Sequence, residues 1–237
     1  MSYEKELWEA RYQRGVAVNR WPYDQVVSFV LSNFGRGERE KISILDYGCG
    51  GGNHAKFLTS EGFDCYAIDY SPKAVELTRK LVQTVSGKEV ESEKILCVEF
   101  SHLPFNDNSF DAVIDRQSLG QNMADDLPAL VAEIHRVLKP GGIYFGVNFS
   151  DRHPLLQYGI SLGKGDYGSF TAGPFTGLGR RHFFSRDEVQ SLFTNFTIID
   201  FRTSLIKSLL DSKNDSEEFL LTAVKPSLSV QSLEGDL

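Results

Sequence analysis

The sequence predicts an α/β fold: an open, doubly wound, mostly parallel sheet with helices on both faces. Three observations predict it. Apolar β-type runs alternate with amphipathic helical stretches from residue 42 onward, which requires right-handed crossovers between parallel strands. The first run, Ile44-Leu45-Asp46-Tyr47, passes straight into a glycine-rich turn, Gly48-Cys49-Gly50-Gly51-Gly52. The second, Asp64-Cys65-Tyr66-Ala67-Ile68-Asp69, ends in an acid. Glycines admit positive φ and close ligand approach, because a Cβ would block both. An acid closing the second strand is placed to accept hydrogen bonds from a ribose diol. Together they point to a nucleoside-containing cofactor at the first two strands of a Rossmann-like sheet.

Residues 3 to 15, with Leu7, Trp8, Tyr12 and Val16 as apolar positions, read as a short helix. An amphipathic helix over roughly 23–34 presents Val26, Val27, Phe29, Val30 and Phe34 before Gly35-Arg36-Gly37 breaks it. Strands are expected near 42–46, 64–69, 94–99, 110–115 and 143–149, with helices over about 53–61 and 125–138. Ser71-Pro72 starts a further helix, serine as cap and proline at the first helical position, that runs to about Val85. Lys139-Pro140-Gly141-Gly142 is a turn, since proline stops a helix and glycine allows the reversal. Residues 150–182 carry His153, Tyr158, Tyr167, Phe170, Phe175 and His182 among many glycines, with no clear period. So long a stretch inside a domain is expected to be a functional loop or lid. Ser185-Arg186-Asp187-Glu188 has capping-box spacing and opens a helix to about Phe193. Phe196–Phe201 and Glu218–Val224 read as the last strands.

The 237 residues suit one domain over 1–225, with 1–40 as an N-terminal helical cap and 150–184 as a lid or substrate insert. Residues 226–237 are expected to form a disordered tail. No stretch approaches the ~18 apolar residues of a membrane span, and the N-terminus lacks a signal-peptide core. Three cysteines, Cys49, Cys65 and Cys97, are an odd number without ligand spacing. That argues against disulfides and against a metal, and favours a reduced, cytoplasmic protein. A net charge of −7 disfavours a nucleic-acid partner, and Arg180-Arg181-His182 is the densest basic spot.

The dinucleotide fingerprint wants glycine at the sixth position of the turn, where Asn53 stands. No tyrosine is followed by a lysine four residues later, which argues against a short-chain dehydrogenase. The pattern is instead Asp46-x-Gly48-x-Gly50-x-Gly52, which resembles motif I of the class I S-adenosylmethionine-dependent methyltransferases. Leu103-Pro104-Phe105 with Asn108-Ser109-Phe110-Asp111, and Arg136-Val137-Leu138-Lys139-Pro140-Gly141-Gly142, are similar to segments of that superfamily's small-molecule branch. The segments follow the family order over roughly residues 42–149.

The resemblance implies a Rossmann-like, doubly wound, mostly parallel seven-stranded sheet with an antiparallel edge strand. It implies S-adenosylmethionine as cofactor, its methionine and ribose portions against the motif that holds Gly48, Cys49, Gly50 and Gly52. Asp46 would orient the ammonium group, Asp69 would take the ribose hydroxyls and Tyr70 would pack beside the adenine. Glu99, where the family has aspartate, would reach the adenine amino group, with Phe100 following it. Arg116 and Gln117 would lie near the methionine part and the substrate mouth. Methyl transfer from a sulfonium is an in-line displacement that needs alignment above all. No catalytic base is assigned: His102, His153 and His182 are expected to be loop or surface histidines.

The signature of amino-directed nucleic-acid methyltransferases is absent; Asp115-Arg116-Gln117-Ser118 stands in its place. A small-molecule acceptor is therefore expected. Its specificity would lie in Trp8, Tyr12, Arg20 and Trp21, in Gln117, Gln121 and Asn122, and in the 150–182 insert. Arg20, Arg180 and Arg181 are candidates to hold an acidic group on it. A protein or peptide methyltransferase, or a non-catalytic scaffold on this fold, remain open alternatives.

Overall fold

Five parallel strands and one antiparallel hairpin build the central sheet of the computed structural model, which describes residues 3–16 and 18–227. In chain order the elements are α1 (Tyr3–Gln13), α2 (Asp24–Asn33), β1 (Ser43–Tyr47), α3 (Asn53–Ser60), β2 (Asp64–Asp69), α4 (Pro72–Ser86) and β3 (Ile95–Cys97). They continue with β4 (Phe110–Arg116), α5 (Leu127–Val137), β5 (Leu138–Phe149), β6 (Ile160–Gly163), β7 (Asp166–Gly168) and β8 (Arg181–His182). The chain then forms α6 (Arg186–Leu192), β9 (Thr197–Ile206) and β10 (Ser216–Val224). The large sheet has the order β3-β2-β1-β4-β5-β10-β9, and β10 runs antiparallel to both neighbours. Strand order reverses between β1 and β4, so the ligand crevice belongs at their carboxyl ends.

Side-chain alternation along the strands feeds two layers. Leu45, Tyr47, Phe110, Val113 and Tyr144 pack under Leu127, Leu130, Val131, Ile134 and Val137 of α5 and Val189 of α6. Ile44, Ala112, Ile114 and Phe145 face Val26, Phe29 and Val30 of α2 and Leu58 of α3. Each fully buried aliphatic or aromatic side chain contributes about 1.5–3 kcal/mol relative to exposure. Local signals fix the helix ends. Ser71 accepts from Ala74 N at 3.1 Å ahead of Pro72, and Ser185 forms the expected capping box with Glu188.

The two motifs beyond the glycine turn hold each other. Arg136 donates to Leu103 O at 2.9 Å, to Phe105 O at 2.8 Å and to Asp107 Oδ1 at 2.8 Å. Lys139 Nζ and Ser43 N both donate to Asp111 Oδ2, at 2.7 and 2.9 Å, pinning the Lys-Pro-Gly-Gly segment to β4 and β1; the segment is not the expected turn but the irregular start of β5, where the pairing with β4 shifts register.

Three further expectations are corrected. β3 stops at Cys97 rather than residue 99, and Phe100 beyond it packs tilted against Tyr47, ring centroids 4.5 Å apart. The 150–182 stretch is not a structureless loop. It forms a small antiparallel sheet, β6-β7-β8, over its own core of Phe149, Leu155, Phe170, Phe175, Leu178 and Phe183. Strands of two to four residues are too short for a period to show. His153 and His182 are buried, not at the surface, at 3% and 0% exposure. His153 Nδ1 accepts from Leu155 N at 3.2 Å, and burial pushes its pKa down to about 4. The expected tail lies, from residue 228 on, outside the described residues.

Candidate cofactor cavity

A cavity of about 240 Å³ opens at the carboxyl ends of β1, β2 and β4. Its floor is Gly48, Cys49, Gly50 and Gly51; Asp69, Tyr70, Phe100, Arg116, Gln117 and Ser118 wall it. Trp8, Arg11 and Tyr12 of α1, with Asn19 and Tyr23 after it and Asn53, His54 and Gln121, complete the lining. The turn is glycine for a local reason. Gly48 has φ 75°, and a Cβ there would stand 1.9 Å from Ser118 Oγ. Gly52 does not line the cavity; a Cβ on it would sit 2.8 Å from Thr78 Cα, so it serves the packing of α3 on α4.

Asp69 is 5% exposed and lies against the turn. Its Oδ2 accepts from Gly50 N and its Oδ1 from Ser71 N, both at 2.9 Å. Burial raises its pKa to about 6; the backbone hydrogen bonds oppose that rise and Asp46 adds to it. Each carboxylate oxygen keeps a lone pair for a ligand. Asp46 lies at the end of β1, 1% exposed; its Oδ1 is 3.6 Å from His54 Nδ1, and its Oδ2 is buried with no partner. Cys49 is inert, its thiol pushed well up by burial beside Thr78.

The wall after β4 is rigidly anchored. Asp115, fully buried, accepts from Ser118 N at 2.7 Å, Leu119 N at 3.2 Å, Tyr144 Oη at 2.9 Å and Asn148 Nδ2 at 2.7 Å. Gln117 has φ 64°, a left-handed conformation that costs a non-glycine residue on the order of 1–3 kcal/mol. Glu218 Oε1 holds it there, receiving Gln117 Nε2 at 2.7 Å and Arg116 Nη2 at 3.0 Å. The Arg116 guanidinium also lies 4.4 Å over the Tyr23 ring.

Glu99 stands outside the cavity. It is paired with Lys5 of α1 and lines an adjoining depression of about 370 Å³ that shares Tyr70, Phe100 and Gln121 with the cavity. The three arginines singled out for an acidic group separate. Arg20 is exposed beside Trp21, Arg180 is engaged by Glu4 Oε1 at 2.6 Å, and Arg181 is buried at 2% exposure. Sequence reasoning missed Arg11, Tyr23, His54, Asp115 and Glu218. An acid inside an otherwise apolar strand, as at Asp115 and at the head of β10, was the available signal.

Residues 45–146 match the family described as a methyltransferase domain. Over that span the chain carries a class I S-adenosylmethionine-dependent methyltransferase domain. Among curated relatives of this methyltransferase, the tRNA N(3)-cytidine methyltransferase METTL2 of Gallus gallus is 29% identical over 163 residues, 67% of this chain and 43% of that protein. The sterol 24-C-methyltransferase erg6 of Aspergillus fumigatus is 28% identical over 186 residues, 65% of this chain and 48% of that protein. The chain thus spans less than half the length of either relative. A SAM-dependent methyltransferase from Methanosarcina mazei superposes with a TM-score of 0.67 at 24% identity, covering 87% of this chain and 99% of that one, which speaks for the fold.

S-adenosylmethionine is the cofactor of this family, and the residues present fit it. Asp69 retains acceptor capacity and the backbone of Gly48–Gly50 is open to the cavity; Asp46 is not among the residues that line it, and keeps one buried oxygen without a partner. Among the described residues no cluster of ligands for a metal ion occurs, and no helix is long and apolar enough to cross a membrane.

Proposed function

We propose that this methyltransferase transfers the cofactor's methyl group to a small organic acceptor by in-line displacement, catalysed by positioning. The observation that carries the reading is the lining of the cavity, where Trp8, Arg11 and Tyr12 of α1 share one space with the glycine turn. A confined site suits two reactants held about 3–3.5 Å apart in a water-poor space.

S-adenosylmethionine, when bound, supplies a methyl group already activated by the sulfonium charge. The protein's part is alignment. Asp69 would accept from the ribose hydroxyls on the lone pairs left by Gly50 N and Ser71 N. Asp46, just outside the cavity lining, would orient the ammonium group, and Tyr70, in ring contact with Phe100 at 5.7 Å, would pack beside the adenine. Glu218 and Asp115 act at one remove, fixing Arg116, Gln117 and Ser118 at the mouth. No base is assigned, since the His54 ring nitrogens face Asp46 and Tyr23 N.

The net charge of −7 supports an acceptor that is not a nucleic acid. Three free cysteines support a reducing, cytoplasmic setting.

Calorimetric titration with S-adenosylhomocysteine tests the cofactor half. Wild type should bind in the micromolar range, and Asp69→Ala should bind at least about tenfold more weakly. Incubation with methyl-labelled cofactor and separated small-molecule, protein and tRNA fractions tests the acceptor half. Label in protein or tRNA alone would sink the small-acceptor reading.

A further inference from the structure

One edge of the large sheet is open. β9 ends the strand order, paired with β10 on its inner side, and among the described residues no backbone group pairs with its outer side. Thr197–Ile206 is a long edge, ten residues without the proline or lysine that often blunts one. The opposite edge, β3, has only three residues. Exposed apolar side chains gather on the open edge and the loop beyond it. Ile199, Leu205, Ile206, Leu209 and Leu210 are exposed by 56%, 49%, 58%, 98% and 99%. Apolar surface so concentrated marks a place where another molecule docks.

Two charges stand in the middle of this edge. Asp200 Oδ2 lies 2.7 Å from Arg202 Nε, and both side chains keep a large part of their surface in solvent. They share one face of the strand, beside a groove of about 520 Å³ that Phe29, Phe145, Ile199 and Leu220 also line. Between them, on the other face, Phe201 is held with its ring 5.0 Å from Phe219. Pairing with β10 skips Ile199, a bulge that bends the strand at that end.

A strand that meets its own copy antiparallel, about a two-fold axis normal to the sheet, has few registers, and charge decides among them. Centring on Asp200 or on Arg202 sets like charges face to face, which is destabilising. Centring on Thr203 leaves Asp200 against Ile206 and Arg202 against Ser204. Centring on Phe201 sets Asp200 of each copy against Arg202 of the other, twice, with the two Phe201 side chains opposed at the axis. Ile199 then faces Thr203, and Thr197 faces Leu205. The intrachain contact uses Arg202 Nε, and the guanidinium has further donors for the second carboxylate.

We propose that two copies of this chain join their β9 edges antiparallel about a two-fold axis at Phe201, making one continuous sheet. The four charges form a closed ring around that axis, and the bulge at Ile199 bounds the new ladder at each end. Such an interface is isologous. It consumes the one long free edge of each copy, and β3 is too short to add a third, so assembly stops at two.

Sedimentation velocity and light scattering across the micromolar range should find a dimer for wild type. Asp200→Arg leaves two cations on the edge and Arg202→Asp leaves two anions. Each alone should weaken self-association by about tenfold or more. Mixed in equal amounts, the two variants should form a dimer, because each edge then meets its opposite. The double variant Asp200→Arg/Arg202→Asp should dimerise by itself. Unchanged far-ultraviolet circular dichroism shows that each variant is folded. Wild type that stays monomeric throughout overturns the proposal and leaves the edge to a different protein. A dimer that survives both single substitutions overturns it as well, by placing the contact elsewhere. Folded single variants that fail to associate when mixed overturn the Phe201 register, and with it the proposal.

Discussion

At Asp69, solvation and hydrogen bonding pull in opposite directions. Burial raises the carboxyl to a pKa of about 6, while Gly50 N and Ser71 N hold it toward the ionised form. Ribose recognition needs the ionised acceptor. Affinity for S-adenosylhomocysteine should therefore be level above pH 7 and fall about tenfold by pH 5, as the carboxyl takes up its proton. Calorimetry across that range checks it, and an unchanged affinity at pH 5 would remove Asp69 from the ribose. Gly48 is less forgiving still. Gly48→Ala forces a Cβ to within 1.9 Å of Ser118 Oγ at a φ of 75°, so a loss of about 1–3 kcal/mol is expected in denaturant unfolding. Both residues were legible in the sequence, because a glycine turn between a strand and a helix is a local pattern. Glu218 was not. It supports Gln117 from 101 residues away, and no window of sequence contains both.

At the scale of elements, the insert is tied to the rest of the fold through His182. Its Nδ1 lies 2.8 Å from Asp166 Oδ1 on β7 and its Nε2 2.9 Å from Glu188 Oε2 on α6. Asp166 also accepts from Ala124 N at 3.2 Å, in the segment that follows β4. Burial disfavours the imidazolium, but the hydrogen bonds to Glu188 and Asp166 outweigh it and the pKa is raised. The unfolded value is about 6.5. With the folded value above it, this contribution is complete below about pH 6.5 and is lost as pH rises through the folded pKa. The thermal midpoint of wild type should decline toward pH 9 more steeply than that of His182→Gln; parallel profiles would show that the triad carries no charge. The histidine was visible in the sequence, but its two acids belong to elements whose pairing the glycine-rich stretch conceals.

Across the whole molecule, the alternation of strands and helices was enough to predict a parallel sheet with right-handed crossovers, while the strand order β3-β2-β1-β4-β5 was visible only in the structure. The hairpin of β9 and β10 came from family resemblance rather than from periodicity. The way α1 crosses the sheet edge was not readable at all. Glu9 accepts from Lys73 N at 3.1 Å and from Ser71 Oγ, while Glu4 reaches Arg180 and Lys5 reaches Glu99. One short helix thereby links α4, the insert and the loop after β3. Glu9→Ala should release it, seen as faster amide exchange along α1 and a several-fold weaker cofactor affinity with little change in global stability.

Trp8, Arg11 and Tyr12 of α1 line the same cavity as the glycine turn, so an acceptor seated against α1 would cover whatever lies on the turn. A compulsory order is the expected outcome, with the methyl donor on first and its demethylated product off last. In steady-state kinetics S-adenosylhomocysteine should compete with S-adenosylmethionine alone, and it should inhibit non-competitively against the acceptor.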